Sequence, residues 1–140
     1  MKNGRLPTAE HILCKILENM YEDIKVGIAK FDNKGILEIY TKNNPRELNK
    51  EELENKVNSV ISQNLVVKKY LVNREKTEIK SDKVPSNIKE IRIVEIENFD
   101  KRPCKDQHVD NTKEIGIFKI IKIKRVGKGR YRFEFDVIDF

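Results

Sequence analysis

Three side chains of this sequence have the chemistry to hold one metal ion. Cys104 and His108 are four residues apart, so a thiolate and an imidazole can reach one ion from a helical turn or from a loop. The only other histidine, His11, lies in a distant segment and would add a second imidazole. Thiolate and imidazole ligands favour zinc, and three protein ligands with one open position are typical of catalytic zinc sites.

Cys14 is a further possible ligand, because it follows His11 by about one helical turn. A small thiol packed under the helix is the favoured interpretation of this residue. The sequence shows no Ser/His/Asp arrangement and no reactive-cysteine context. It therefore does not suggest a covalent mechanism.

The segment around His11 is predicted to form a helix. Thr8 is a plausible N-cap after Pro7, and apolar residues repeat at helical spacing as far as residue 21 or 22. The apolar stripe is centred near Leu13, Ile16 and Met20. By periodicity alone, His11 falls on the opposite, solvent-facing side of this helix.

The other segments predict strands and one more helix. Residues 25–31 and 36–41 read as a β-hairpin with a glycine-bearing turn, and residues 51–63 as a second amphipathic helix. Residues 65–71 form a strand candidate, and residues 73–87 are polar enough for a loop or a marginal helix.

The last third of the chain predicts three strands around the cysteine segment. A half-buried strand over residues 91–97 delivers the chain to Cys104. Residues 116–126 and 130–138 then form a second hairpin across Gly127-Lys128-Gly129, with one apolar and one polar face. The whole pattern predicts an α+β fold, an antiparallel β-sheet with helices packed on it.

Length and composition limit the possible classes of protein. A chain of 140 residues is long enough for one core, so we expect a single domain over residues 1–140. No apolar run approaches the length of a bilayer span, and the first residues lack a signal-peptide hydrophobic region, so we expect a cytoplasmic protein without membrane contact. In a reducing cytosol the two cysteines are expected to be thiols or metal ligands.

Basic residues are concentrated in the second hairpin. The chain has 29 basic and 23 acidic residues, a formal net charge of +6. The cationic residues of this hairpin, named the basic hairpin below, are Lys119, Lys122, Lys124, Arg125, Lys128, Arg130 and Arg132. They could contact phosphates without reading sequence, although a solvated hairpin in a lysine-rich protein is the slightly favoured alternative.

Two segments together resemble a known family. Cys104 and His108 are followed by Val109, Thr112, Glu114, Ile115 and Gly116, and Thr8-Ala9-Glu10-His11 opens the first helix. This pattern resembles the editing domain of threonyl- and alanyl-tRNA synthetases, their second additional domain, and the free-standing AlaX-type proteins. In that family an H-x-x-x-H helix meets a C-x-x-x-H segment. The resemblance covers nearly the whole chain and implies an editing-domain-like fold, with His11 turned into a pocket rather than to solvent.

The sequence departs from the family pattern at two places. Pro7 stands where the family has its first histidine, so one of four expected metal ligands is missing. Between Cys104 and His108 the family has small residues and a threonine, whereas this chain has Lys105, Asp106 and Gln107. The steric room that a glycine gives near the site is therefore lost.

The resemblance implies hydrolysis of the ester that joins a wrong amino acid to the 3′-terminal ribose of a tRNA. The expected metal ligands are His11, Cys104 and His108, with Zn²⁺ as the ion. The candidate catalytic residues are His11, Glu10 as acid or base, and Gln107 and Asp106 as contacts to the aminoacyl group. Serine or glycine carried by tRNA-Ala or tRNA-Thr is the first expected substrate.

Other interpretations remain open at this level. A degenerate, non-catalytic domain could bind tRNA, an amino acid or a protein partner, and Pro7 favours this alternative. An unrelated metal-site protein is a third possibility. A synthetase fragment is disfavoured because 140 residues leave no room for an aminoacylation module. Either hairpin could also pair two chains through an exposed edge strand, which would give a homodimer.

Overall fold

Two helices and two antiparallel sheets make up the fold. The computed structural model describes residues 3–79 and 84–139. The helices are α1 (Arg5–Met20) and α2 (Lys50–Ser62). The strands are β1 (Lys25–Phe31), β2 (Gly35–Tyr40), β3 (Val67–Asn73), β4 (Glu90–Ile96), β5 (Asp100–Pro103), β6 (Ile117–Gly127) and β7 (Arg130–Ile138). The predicted α+β class is confirmed.

The strands form two sheets rather than one. A four-stranded sheet has the order β1-β2-β7-β6, and a three-stranded sheet has the order β3-β4-β5. Both predicted hairpins are present, with Gly129 in the second turn at a φ of 66°. Strand β5 was not predicted, because Asp-Lys-Arg-Pro has no strand-like residue and ends in proline.

Helix α1 begins earlier than predicted. Gly4 is the residue before its first turn, with a φ of 80°, and the Thr8 amide donates to the Gly4 carbonyl at 3.2 Å. The prediction that Thr8 is the N-cap is therefore wrong. Pro7 lies in the first turn, where the helix needs no backbone N–H.

The first half of α1 is covered on all sides. Residues 6–14 are all buried, because α1 packs on β2 and β7 of the larger sheet and also contacts α2 and β5. His11 is only 2% exposed, so the periodicity-based prediction of a solvent-facing histidine is wrong. Met20, expected in the core stripe, is 39% exposed at the end of the helix.

The smaller sheet carries the chain to the cysteine segment. Val67, Val94 and Ile96 on one of its faces join the main core, and the Val67 amide donates to the Asp110 carbonyl at 2.9 Å. In the polar segment predicted as a loop or a marginal helix, Arg74–Lys76 forms one 3-10 turn, and residues 80–83 lie outside the described part.

No helix in the described ranges is both long and apolar enough to span a bilayer. The edges of the two sheets are β1 and β6 in the larger one and β3 and β5 in the smaller one. Pairing of two chains through one of these edges stays a prediction.

Candidate metal centre

Three side chains from distant parts of the chain converge at one corner. His11 comes from the middle of α1, Cys104 directly follows β5, and His108 lies in the loop after it. One ligand atom of each lies within 4.8 Å of the other two, and the centroids of the two imidazole rings are 4.5 Å apart. Both histidines are buried, whereas Cys104 is half-buried. The structure thus brings together the three predicted metal ligands.

The start of α1 bonds the His108 ring and the Val109 amide and lies close to the His108 backbone. The Thr8 hydroxyl oxygen lies 3.0 Å from Nδ1 of His108, and the Val109 amide donates to the same oxygen at 3.2 Å. A Cβ atom added to Gly4 would lie 2.8 Å from the His108 carbonyl carbon. Glycine is therefore required at residue 4 for this close approach, and its positive φ adds to that requirement.

Glu10 and Cys14 lie beside His11 on the same helix. The Cys14 thiol donates to Oε1 of Glu10 at 3.0 Å, and Oε2 of Glu10 lies 3.8 Å from Nε2 of His11. Glu10 is 7% exposed, so its carboxylate is buried in this corner. Cys14 is not part of the group formed by His11, Cys104 and His108.

Arg92 of β4 fixes the segment between the cysteine and the second histidine. Its Nη1 donates to the carbonyl oxygens of Cys104 at 3.0 Å and Asp106 at 2.9 Å. The Cys104 amide in turn donates to the Arg92 carbonyl at 3.1 Å. The segment is thus held by both the backbone and the side chain of one strand residue.

Burial sets the protonation of the three side chains. It lowers the pKa of His11 well below its ordinary range, and the neighbouring His108 lowers it further. Burial, with Arg92 nearby, lowers the pKa of His108 to about 4. Burial raises the pKa of the Cys104 thiol to about 12. Both imidazoles are therefore neutral at neutral pH, and the thiol is expected to ionise when a cation binds.

The donor set fits a zinc ion. Nδ1 of His11 and Nε2 of His108 are buried and have no hydrogen-bond partner among the described residues. Buried polar atoms are rarely left without a partner, so this pair indicates a place for a ligand. Ligand atoms of a tetrahedral zinc with bonds of about 2.0–2.3 Å lie roughly 3.3–3.8 Å apart, so these atoms, which lie within 4.8 Å of one another, would have to move about 1 Å closer to share one ion.

The chain is similar in sequence to known proteins over most of its length. Residues 91–134, which include Cys104 and His108, match the family described as threonyl and alanyl tRNA synthetase second additional domain. The chain is 32% identical over 136 residues to the alanyl-tRNA editing protein AlaX-L of Pyrococcus horikoshii and 31% identical over 149 residues to AlaX-M of Methanosarcina barkeri. The predicted family resemblance is confirmed. A third relative is the alanine-tRNA ligase of Saccharolobus islandicus, 37% identical over 117 residues.

These similarities cover most of the chain but only part of each relative. The similarity covers 95% of this chain for the AlaX-L protein, 99% for the AlaX-M protein and 79% for the ligase. The chain spans 33% of the AlaX-L protein, 59% of the AlaX-M protein and 13% of the ligase.

The departures from the family pattern lie at the edge of the metal group. Pro7 is buried in the first turn of α1 and offers no donor atom. Asp106 is half-buried, with Oδ2 at 3.5 Å from the Cys104 sulfur, and Gln107 is exposed. Of these two predicted contacts to an aminoacyl group, Asp106 lies next to a candidate ligand, and Gln107 faces solvent.

The basic hairpin divides into two sets of cations. Lys119, Lys122, Arg125 and Lys128 are exposed. Lys124, Arg130 and Arg132 are half-buried and lie beside two buried carboxylates. Arg132 donates to Oε2 of Glu38 at 3.0 and 2.7 Å, and Nζ of Lys124 lies 3.5 Å from Glu134. The half-buried set therefore balances charge within the molecule.

Sequence reasoning missed two of the residues that shape this corner. Arg92 looked like an ordinary polar position of a half-buried strand, and Gly4 lay outside the predicted helix. The only signal for Arg92 was a cation on the same strand face as Val94 and Ile96, which join the core. Gly4 carried no signal, because its partner is about a hundred residues away.

Proposed function

We propose that this chain is an aminoacyl-tRNA deacylase that removes a mischarged amino acid from tRNA with the help of zinc, and that residues 1–140 form one editing domain. The observation that carries the proposal is the convergence of one thiol and two imidazole nitrogens that have no hydrogen-bond partner among residues 3–79 and 84–139. The names of the AlaX-L and AlaX-M relatives support the substrate class, aminoacylated tRNA.

His11, Cys104 and His108 would hold the ion. When bound, Zn²⁺ supplies Lewis-acid assistance to ester hydrolysis. Pro7 leaves one ligand position of the family pattern empty, and three protein ligands with an open position suit a catalytic ion better than a structural one.

Other side chains would act on the substrate itself. Glu10 is the candidate acid or base, because its buried carboxylate lies 3.8 Å from the His11 ring. Asp106 would orient the aminoacyl group from the rim, with Gln107 as an outer contact. The exposed cations of the basic hairpin would bind phosphates of the tRNA, which requires no base recognition.

Zinc content and deacylation test this proposal together. The purified protein is expected to hold about one zinc per chain and to release serine from seryl-tRNA-Ala. His108→Ala and Cys104→Ala should lose the metal and at least about 100-fold of the activity, since each removes a ligand. Lys105→Ala is the matched control, because Lys105 is exposed in the same segment and should change neither property. Parallel assays with glycyl-tRNA-Ala and seryl-tRNA-Thr would show which amino acid and which tRNA are accepted.

The alternative is a non-catalytic module, which the absence of a donor at Pro7 favours. In that case the wild-type chain would bind tRNA without releasing amino acid, even with zinc supplied. His108→Ala would then bind tRNA as well as the wild type. That pair of results would overturn the deacylase proposal.

A further inference from the structure

The Thr8 hydroxyl is buried and makes three polar contacts. It is 0% exposed and lies 2.6 Å from the Gly4 carbonyl oxygen, 3.0 Å from Nδ1 of His108 and 3.2 Å from the Val109 amide nitrogen. Because the hydroxyl is buried, water does not compete for these contacts.

Two of the three contacts fix where the hydroxyl proton lies. A carbonyl oxygen only accepts and an amide N–H only donates, so Thr8 donates to Gly4 and accepts from Val109. A hydroxyl has one proton and two lone pairs, so its remaining capacity is one lone pair. If the proton pointed at His108 instead, an oxygen lone pair would face the Gly4 carbonyl at 2.6 Å, which is repulsive.

The third contact then determines the state of the imidazole. Only a protonated Nδ1 can donate to the remaining lone pair of Thr8, at 3.0 Å. A neutral imidazole with a proton on Nδ1 has its lone pair on Nε2. Nε2 of His108 is the buried nitrogen that lacks a hydrogen-bond partner in the described part of the chain.

We propose that Thr8 is a positioning residue that holds His108 as the Nδ1-protonated tautomer and so presents the Nε2 lone pair to the metal position. The effect on the tautomer stands by itself, and its effect on zinc affinity rests on the proposed function. Ligating histidines commonly have their second nitrogen fixed in this way, and loss of the fixing group weakens metal binding.

Histidine ¹⁵N NMR of the metal-free protein tests the tautomer directly. Thr8→Val removes the hydroxyl and keeps the shape, whereas Thr8→Ser keeps the hydroxyl. The matched control is Thr112→Val. Thr112 is also 0% exposed, and its hydroxyl bonds two backbone groups, accepting from the Leu65 amide at 2.8 Å and donating to the Ile61 carbonyl at 3.0 Å.

The wild type and Thr8→Ser are expected to show His108 protonated at Nδ1. Thr8→Val should show the Nε2-protonated form in a substantial fraction of molecules, and Thr112→Val should match the wild type. An unchanged His108 spectrum in folded Thr8→Val would overturn the proposal. So would a wild-type spectrum with the proton on Nε2. If Thr8→Val does not fold, the wild-type and Thr8→Ser spectra still decide the tautomer.

Zinc titration against a competing chelator separates this inference from the proposed function. Thr8→Val is expected to bind zinc about 10–100-fold more weakly, with affinity restored in Thr8→Ser. A tautomer change in a protein that binds no zinc even as wild type would support the role of Thr8 and contradict the metal-dependent deacylase. Zinc binding that is equally tight in Thr8→Val would contradict the positioning role and leave the deacylase intact.

Discussion

The corner formed by His11, Cys104 and His108 and the basic hairpin differ in whether their buried polar groups are paired. At the corner, His11 and His108 are neutral, and each has one buried nitrogen without a partner among the described residues. Around the hairpin, the buried carboxylates of Glu38 on β2 and Glu134 on β7 are surrounded by cations that bond them. The hairpin pairs both of these carboxylates, and its one buried nitrogen without a hydrogen bond among the described residues, Nε of Arg130, lies 3.7 Å from Glu38. The corner leaves two imidazole nitrogens without a partner among the same residues.

This difference shows which residues are available to a ligand. Leaving a buried polar atom unpaired costs about 1–3 kcal/mol, so two such nitrogens at one place require an explanation outside the folded chain itself. Two of the five N–H donors of the Arg132 guanidinium already bond Glu38, which holds the side chain against that carboxylate. The number of cations alone therefore overstates the surface that the basic hairpin would offer to tRNA in the proposed function.

The largest expected effect comes from glycine substitution at the corner. Gly4→Ala places a methyl group 2.8 Å from the His108 backbone at a φ of 80°, and the free energy of unfolding should fall by about 2–4 kcal/mol. Urea denaturation measures this change. Gly127→Ala, at the end of β6, is the control, because the nearest atom to its added Cβ would be a side-chain atom of Arg130 at 3.6 Å. It should stay within about 0.5 kcal/mol of the wild type. Similar losses at both positions would contradict the close approach at Gly4.

The next effect is on the loop that carries Cys104. Arg92→Met removes two hydrogen bonds to the carbonyls of Cys104 and Asp106, and zinc affinity should fall about 10-fold because the ligand loop is no longer fixed. Chelator competition measures the dissociation constant.

Tyr70→Phe is the control for Arg92→Met. Tyr70 lies on the opposite face of the same sheet, and its hydroxyl donates to Glu95 at 2.7 Å. Zinc affinity should not change in this variant. If both variants lose zinc equally, the sheet as a whole, rather than Arg92, supports the loop.

The fold was largely predictable because its elements follow simple periodicities. Strand alternation defined β7, and helical spacing defined α2 to within one residue at each end. Helix α1 was less predictable, since it is buried on all sides near its start and periodicity then misplaces a polar residue such as His11. Strand β5 was not predicted because its pairing with β4, rather than its composition, makes it a strand.

The candidate ligands could be predicted because histidine and cysteine are rare in this chain, with two of each. The residues that position them could not. Thr8 suggested a helix cap, and Arg92 suggested a surface cation, because both act through partners that only the fold brings near. Local patterns carry no information about hydrogen bonds between residues that are 14 positions apart, as for Arg92 and Asp106, or 100 positions apart, as for Thr8 and His108.

A smaller effect is expected when the charge balance of the hairpin is disturbed. Lys34, followed by Lys124, lowers the pKa of Glu134 in the folded chain. Glu134→Gln should therefore cost about 1 kcal/mol at pH 7, an amount limited by the exposure of the lysines. A carboxyl with a lowered folded pKa stabilises the protein above its unfolded pKa, and this contribution is lost as the pH falls through the folded value.

Urea denaturation of the wild type and Glu134→Gln at pH 7 and pH 3 checks the sign. The difference between the two proteins should shrink towards zero at the lower pH. Glu22→Gln is the control, because Glu22 is exposed and should show little difference at either pH. A difference that grows on acidification would contradict the assigned role of Glu134.

The smallest expected effect distinguishes the two sets of hairpin cations in tRNA binding. Lys122 is exposed, so Lys122→Ala should weaken tRNA binding about 3-fold and reduce the slope of log affinity against log salt by about 1. Arg132→Ala should leave that slope nearly unchanged and lower stability instead, because Glu38 would lose two hydrogen bonds. If both variants reduced the slope of log affinity against log salt equally, Arg132 would contact phosphate in spite of its bonds to Glu38. Pairing within the molecule would then not predict which hairpin cations bind tRNA.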